Sequence, residues 1–312
     1  METILIAGGT GLIGTALSTL LIAKGYNVIL LSRSVIPDKP VKNDNGVIQA
    51  FWNPVEQRVD RAAIEQADYI INLAGAGVAD KRWTKKRKKE ISDSRVQSGN
   101  LIVKALTEIP NKIKLVVNAS AIGWYGEDPV IPNPAPFTED MPSDSGFLGY
   151  TCKLWEQSIH PVTTLGKRLV VLRTGIVLSD AGGAFKEFSN PLRFGIATVL
   201  GSGKQMVSWI HIDDLCKMYL YAIQEEELHG VYNAAAPNPV SNKELILELA
   251  RKKNKSFFIT TPVPTFVLKI VLGEMSIEVL KSTTVSVQKI ENTGFKYDFP
   301  FIGNAIDNLI KQ

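Results

Sequence analysis

The chain has 312 residues, 45% hydrophobic and 21% charged, which is enough for one large domain or two smaller ones with an ample core. Its net charge of +4 is mild and points to no particular partner. The longest apolar runs stop short of membrane-spanning length, and the N-terminus lacks the basic region and cleavage site of a signal peptide, so a cytoplasmic protein is expected.

Thr3 to Ala7 reads as a strand, Gly8-Gly9-Thr10-Gly11-Leu12-Ile13-Gly14 as a glycine turn, and Thr15 to Leu21 as the start of a helix. Gly9, Gly11 and Gly14 satisfy G-x-G-x-x-G, and Gly8, Gly11 and Gly14 satisfy G-x-x-G-x-x-G. Between a strand and a helix, this is the context of a dinucleotide site. One glycine permits the turn, one lets backbone approach a pyrophosphate, and one lets helix and strand pack closely. The free N–H groups at the helix start then face the diphosphate.

The helix ends near Lys24-Gly25, and Asn27 to Leu31 is the second strand. An NAD site would carry Asp or Glu at its end, about 20 residues after the glycines. Here Ser32-Arg33-Ser34 stands instead, and arginine pairs with a 2′-phosphate, which favours NADP(H) over NAD(H). Residues 35–46, with Pro37, Pro40 and Gly46, read as a loop. Val47–Phe51 is a short strand, residues 59–67 a weak helix, and Asp68–Gly75 a strand running into the small residues Leu73-Ala74-Gly75. Small residues at a strand's carboxyl end let a cofactor lie against backbone.

The basic run from Lys81 to Lys89 opens a helix reaching about Thr107 and mostly covers a solvated face, so no nucleic-acid partner is expected. On that helix Ile91, Arg95, Ser98, Ile102 and Ala105 form one stripe, which turns Arg95 inward. A buried arginine needs an anion, either a ligand phosphate or an internal carboxylate. The strand Ile113–Val117 leads into Ser120, where a hydroxyl at the carboxyl end of a central strand can hydrogen-bond a reacting oxygen. Residues 127–146 read as a surface excursion, and Phe147 to Ile159 as a helix.

Arg168–Leu172 is the next strand, followed by Arg173 and by Ile176-Val177. The β/α alternation to this point implies a Rossmann-type doubly wound parallel sheet. Beyond it the rhythm breaks. Residues 184–206 mix a short helix with loops, Val207–Leu215 starts a helix, and Gly230–Ala234 is a strand. Ser241 and Glu244 form a capping box, and Pro262 and Pro264 precede another helix. The expected organisation is a Rossmann domain at 1–177, rejoined by 207–233, and a smaller C-terminal substrate-side α/β domain from 178–206 and 234–312. Cys152 and Cys216 are isolated, which fits a reducing compartment, and His160, His211 and His229 offer no zinc spacing, so no metal is expected.

Several of these segments together resemble the extended short-chain dehydrogenase/reductase superfamily. They are Gly8-x-x-Gly11-x-x-Gly14, Asn72-Leu73-Ala74-Gly75, Ser120-Ala-Ile-Gly-Trp-Tyr-Gly126, Leu172-Arg173 and Trp209-Ile-His211-Ile-Asp-Asp214. Within it the chain is similar over its full length to the YfcH-like epimerase family, of NAD-dependent epimerase/dehydratase type. The closer signs are Asp80-Lys81-Arg82-Trp83 with Ser94-Arg95, Gly201-Ser-Gly-Lys-Gln205, Tyr232-Asn-Ala234, Leu272-Gly-Glu-Met275 and Gly294-Phe295. The resemblance implies an NADP-binding core whose cofactor is lined by Ser32, Arg33, Leu73, Ala74, Glu90, Arg95 and Val177. The superfamily's chemistry rests on a Tyr-x-x-x-Lys pair, in which phenol and amine act together. Here Lys153 has the right setting, but Gly149 stands four residues before it and Tyr150 three. Tyr150, or Tyr125 after Ser120, is then the candidate proton donor.

Two functions follow. The first is an NADP-dependent epimerase, dehydratase or reductase acting on a nucleotide-sugar-like or other hydroxyl/carbonyl substrate. Ser120, Lys153 and Tyr150 or Tyr125 would carry the chemistry, with Arg173, Trp209 and His211 on the substrate side. The second is a non-catalytic NADP(H)-binding redox sensor. Either leaves room for a homodimer.

Overall fold

A computed structural model describes residues 1–36, 41–42, 47–254 and 257–311. Pro37, Pro40 and Gly46 of the expected loop lie outside the described residues. Within that stretch Val41–Lys42 is a short strand.

Nine strands form the main sheet among the described residues. The order across it is Gly230–Ala234, Arg168–Thr174, Leu115–Ala121, Tyr69–Asn72, Thr3–Ala7, Asn27–Ser32, Ile48–Asn53 and Val41–Lys42. All neighbours are parallel up to Ile48–Asn53, which pairs antiparallel with Val41–Lys42 and with Arg58–Val59. The strand order reverses beside Thr3–Ala7, and open sheets bind ligands outside the carboxyl ends of strands at such a point.

Strands of a parallel sheet are buried on both faces, so their sequences are continuously apolar. Thr3–Ala7 is buried at every residue. Its Ile4 and Ile6 pack with Leu17 and Leu21 of the helix Leu12–Ala23 and with Leu215, Met218 and Tyr219 of the helix Ile212–Gln224. Its Leu5 and Ala7 pack on the other face with Ile64 of Arg61–Gln66 and with Leu101, Ile102 and Ala105 of Lys85–Glu108. This is the doubly wound Rossmann-type architecture. A third apolar cluster joins Phe185, Val199, Trp209, Leu245, Leu249 and Ile306. Val285, Val287, Ile290 and Phe295, close to the C-terminus, pack instead with the first cluster.

Local chemistry fixes the helix starts. The Asp60 carboxylate accepts from the Ala63 amide at 2.9 Å, and the Thr84 hydroxyl accepts from the Arg87 amide at 3.1 Å. Ser241 and Glu244 form the reciprocal capping box, with Glu244 N to Ser241 Oγ at 3.1 Å. The strand after Asn118 runs on through Ser120 to Ala121, further than its apolar core indicates. The longest strands unread in the sequence are Ile196–Leu200 and Ile259–Val263, which pair parallel to each other, and the second carries Pro262. Proline is confined to edge strands, where its missing N–H is not needed.

The glycine turn shows why its residues have no side chain. Gly8 has φ +80°, and a Cβ there would lie 2.8 Å from the Leu73 carbonyl carbon. A Cβ on Gly14 would lie 2.5 Å from Gly9 Cα and 2.6 Å from Gly8 O, both backbone atoms that cannot step aside. Gly14→Ala should therefore destabilise the protein by roughly 2–3 kcal/mol, in the range of overpacked sites. Urea unfolding followed by circular dichroism checks this. A loss below 0.5 kcal/mol, the level of an ordinary surface change, would contradict the packing described.

Candidate cofactor crevice and active site

Gly11 caps the helix Leu12–Ala23 without a side-chain bond, and the Thr15 amide is the first to find its carbonyl, at 2.9 Å. Helix geometry leaves the amides of Leu12, Ile13 and Gly14 without intrahelical partners. Gly11 is exposed, and a Cβ there would meet nothing nearer than Gly8 O at 3.4 Å. The turn thus offers open donors beside an unobstructed backbone, with Thr10 exposed on it. Its walls follow from register. Ala7 lies beside Leu31 on one side and Asn72 on the other, so the Ser32-Arg33 corner and the Leu73-Ala74-Gly75 turn flank the glycines. The Leu73 amide bonds Ala7 O at 2.8 Å, which ties that turn to the first strand. Across the top, a Cβ on Gly183 would meet Leu12 Cδ2 at 3.1 Å and Val177 O at 4.0 Å, so the Val177 strand reaches the same corner.

Ser32 Oγ lies 3.3 Å from Ser34 Oγ and accepts from the Ser34 amide. Arg33 is exposed and has no carboxylate partner among the described residues. Arg95 turns inward, as its stripe requires, and burial pushes its guanidinium below the ordinary arginine range. Its Nη1 donates to Ala76 O at 3.0 Å and Ile91 O at 2.9 Å, and its face lies 4.9 Å from the Trp155 ring. Among the described residues no carboxylate meets it, so the internal ion pair is not formed. Glu90 is exposed on the same helix and pairs with Arg87 at 2.8 Å. These residues fit a dinucleotide: open amides at a helix start, two arginines without acids, and a small-residue floor.

The second half of the site surrounds Ser120. Register sets Ser120 beside Arg173 on adjacent strands. Ser120 Oγ donates to Glu156 Oε1 at 2.7 Å. Glu156 also takes Arg173 Nε at 2.9 Å and Nη2 at 3.0 Å, a two-pronged pair. Arg173 Nη1 donates to Tyr125 Oη and to Glu139 O, both at 3.0 Å, and the guanidinium stacks 3.7 Å from the Trp124 ring. Tyr125 in turn donates to Asn233 Oδ1 at 2.8 Å. Cys152 lies alongside with its thiol directed to Ala121 O, and burial with the nearby Glu156 charge pushes it up to about 11.

This geometry corrects several expectations. Tyr125 is fully buried, its proton is committed to Asn233, and burial pushes its phenol up to about 12, so it stands as a structural tyrosine rather than a proton donor. Arg173, 2% exposed, is spent on Glu156, Tyr125 and Glu139 O and is not free for substrate. Trp209 is wholly buried in the third cluster, with its indole N–H on Asn238 O at 3.0 Å. His211 is wholly buried at the N-cap of Ile212–Gln224, accepts from the Asp213 amide at 3.1 Å and stacks 4.0 Å from Phe299. Burial lowers its pKa, which keeps the ring neutral and accepting. Neither residue reaches the crevice. Tyr150 and Lys153 are both exposed, and neither side chain bonds a described residue.

The Gly149 position explains the missing tyrosine. A Cβ there would lie 2.3 Å from Asp144 O and 2.8 Å from Asp144 C, so main chain fills the slot. Asp144 is itself held by its amide on Trp124 O at 2.7 Å. Glu156, which the sequence reading missed, lies two turns along the same helix face as Gly149. An acid on the buried face of that helix was the available signal.

The model of the "NAD dependent epimerase/dehydratase family" matches residues 4–154, and that of a "Domain of unknown function (DUF1731)" matches residues 263–309. The epimerase family protein YfhF of Bacillus subtilis is 33% identical over 98% of this chain and 97% of its own. The chain belongs to the NAD-dependent epimerase/dehydratase family. The crystal structure of the human epimerase family protein SDR39U1 with NADPH superposes with a TM-score of 0.86 at 31% identity, covering 100% of both chains. A nucleoside-diphosphate sugar epimerase from Corynebacterium glutamicum gives a TM-score of 0.77 at 28% identity, covering 99% of this chain and 58% of that one. The epimerase-family fold is thereby established for this chain. No helix among its described residues is long and apolar enough to cross a membrane.

Breaking the central ion pair has a defined consequence. Glu156→Ala should leave the Arg173 charge buried and unpaired, at about 3–5 kcal/mol. Ser120→Ala removes one hydrogen bond and should cost only about 0.5–1.5 kcal/mol. Urea unfolding of both variants measures the difference; equal losses would contradict the network.

Proposed function

We propose that this chain binds NADP(H) in preference to NAD(H) and uses it on a hydroxyl- or carbonyl-bearing substrate of nucleotide-sugar-like class. The observation that carries the cofactor half is Arg33, exposed without an acid at the end of the strand beside the glycine turn. An arginine there supplies a fork for a 2′-phosphate, where an acid would repel it. The NADPH in the human relative's structure supports this reading. The amides of Leu12, Ile13 and Gly14 would hold the diphosphate, Leu73, Ala74 and Gly75 the adjoining ribose, and Arg95 a further anionic group. Val177 would close the top, and the exposed Lys153 would reach the nicotinamide ribose. Bound NADP(H) would accept or supply the hydride. Ser120 would orient the substrate oxygen. Residues 178–206 and 234–312 would form the substrate side, and the molecule would work in the cytoplasm, where Cys152 and Cys216 stay as thiols.

A second reading, a non-catalytic NADP(H) sensor, is favoured by one feature: main chain occupies the slot of the phenol. Carbonyl compounds and nucleotide sugars, offered with NADPH or NADP+ and followed by absorbance and direct product analysis, separate the two. Turnover that Lys153→Met abolishes while NADPH still binds supports the enzyme. Tight binding with no turnover supports the sensor. For the cofactor, Arg33→Ala should weaken NADPH by roughly 1.5–3 kcal/mol, the range of a charged hydrogen bond, and leave NADH nearly unchanged. Fluorescence titration with both nucleotides tests it, and equal losses would refute the NADP assignment.

A further inference from the structure

We infer that Glu156 is a positioning residue that locks Ser120 as a hydrogen-bond acceptor, so the site selects the hydroxyl form of its substrate over the carbonyl form. The inference rests on the reading that Ser120 faces substrate, and it adds which oxidation level is recognised.

A serine hydroxyl has one proton and two lone pairs, and its rotor normally serves either role. Ser120 has lost that freedom. A carboxylate accepts only, so the 2.7 Å bond to Glu156 Oε1 uses the serine proton. Glu156 cannot turn away. Arg173 Nε and Nη2 grip its two oxygens at 2.9 and 3.0 Å, and Arg173 is held by Tyr125, Glu139 O and the Trp124 face. The Cys152 thiol lies against Ser120 but gives its one proton to Ala121 O, so that proton is not spent on the Ser120 lone pairs. What Ser120 presents is therefore an acceptor, and its complement is a substrate O–H. A carbonyl oxygen would meet lone pair against lone pair. The phenol that would donate to a carbonyl has no room at Gly149, because a Cβ there falls 2.3 Å from Asp144 O. Neither of the two usual carbonyl donors is on hand.

The test uses ligand pairs differing only in hydroxyl and carbonyl: UDP-6-deoxyglucose against UDP-4-keto-6-deoxyglucose, and cyclohexanol against cyclohexanone. Saturation-transfer NMR reads binding to the full-length protein with and without NADPH, with no turnover needed. The hydroxyl member should bind roughly tenfold or more tightly, as expected when a buried polar group is matched rather than opposed. Ser120→Ala should abolish the preference. In the cofactor-free protein, isotope-edited infrared spectroscopy of 13C-glutamate should show the Glu156 carboxylate band, assigned with Glu156→Asp, shifting when Ser120→Ala removes its hydrogen bond. A tighter or equal carbonyl ligand, a preference that survives Ser120→Ala, an unmoved band, or no binding of any member each overturns the inference. NADPH titration runs in parallel, and its failure would strike the cofactor reading alone.

Discussion

The pair between Arg173 and Glu156 is the interaction on which the interior of the site depends. It joins the strand Arg168–Thr174 to the helix Phe147–Ile159, two elements from different layers of the fold. Burying two charges is unfavourable unless the geometry is good and the remaining donors and acceptors are met. Here they are met, by Ser120, Tyr125, Glu139 O and the Trp124 ring. Each partner is fixed in turn: Tyr125 reaches Asn233, and the Asn233 amide bonds Glu139 Oε1 at 2.8 Å. The chain of bonds runs from the sheet, through the helix, to the excursion at 127–146.

The cofactor corner works by the opposite principle. There, groups are left without anionic partners: amides at a helix start, Arg33 in solvent, and Arg95 half-buried against carbonyls and an aromatic face. Positive potential without internal anions favours an anionic ligand. The basic run at residues 81–89 looks stronger in sequence, yet its charges are largely used locally. Lys88 pairs with Glu274 at 2.7 Å, and Arg87 with Glu90 and Asp80. Fewer charges at the right corner matter more than many on an open helix face.

Much of this was legible beforehand. The continuous apolar run at 3–7, the glycine spacing and the stripe through Ile91, Ser98 and Ile102 located the sheet, the turn and the inward Arg95. These signals are local and periodic, and burial follows from them directly. The substrate-side reading of Arg173, Trp209 and His211 was less readable. Each is polar or aromatic near a strand end, and only packing distinguishes a residue that lines a crevice from one sealed behind it. The strands Ile196–Leu200 and Ile259–Val263 were missed because they pair across about sixty residues, and Pro262 argued against a strand. Glu156 was not legible because its role depends on a partner, Arg173, seventeen residues later on a different element.

The close fit of Asp144 main chain over Gly149 bears on which residues this position can take. Placing a phenol there would require rerouting the loop before the helix and substituting the glycine together, because either step alone leaves a clash or a void. Single substitutions cannot cross that gap without first losing stability. Glycine is thus the residue this backbone path demands, and the helix and the loop before it can change only in concert.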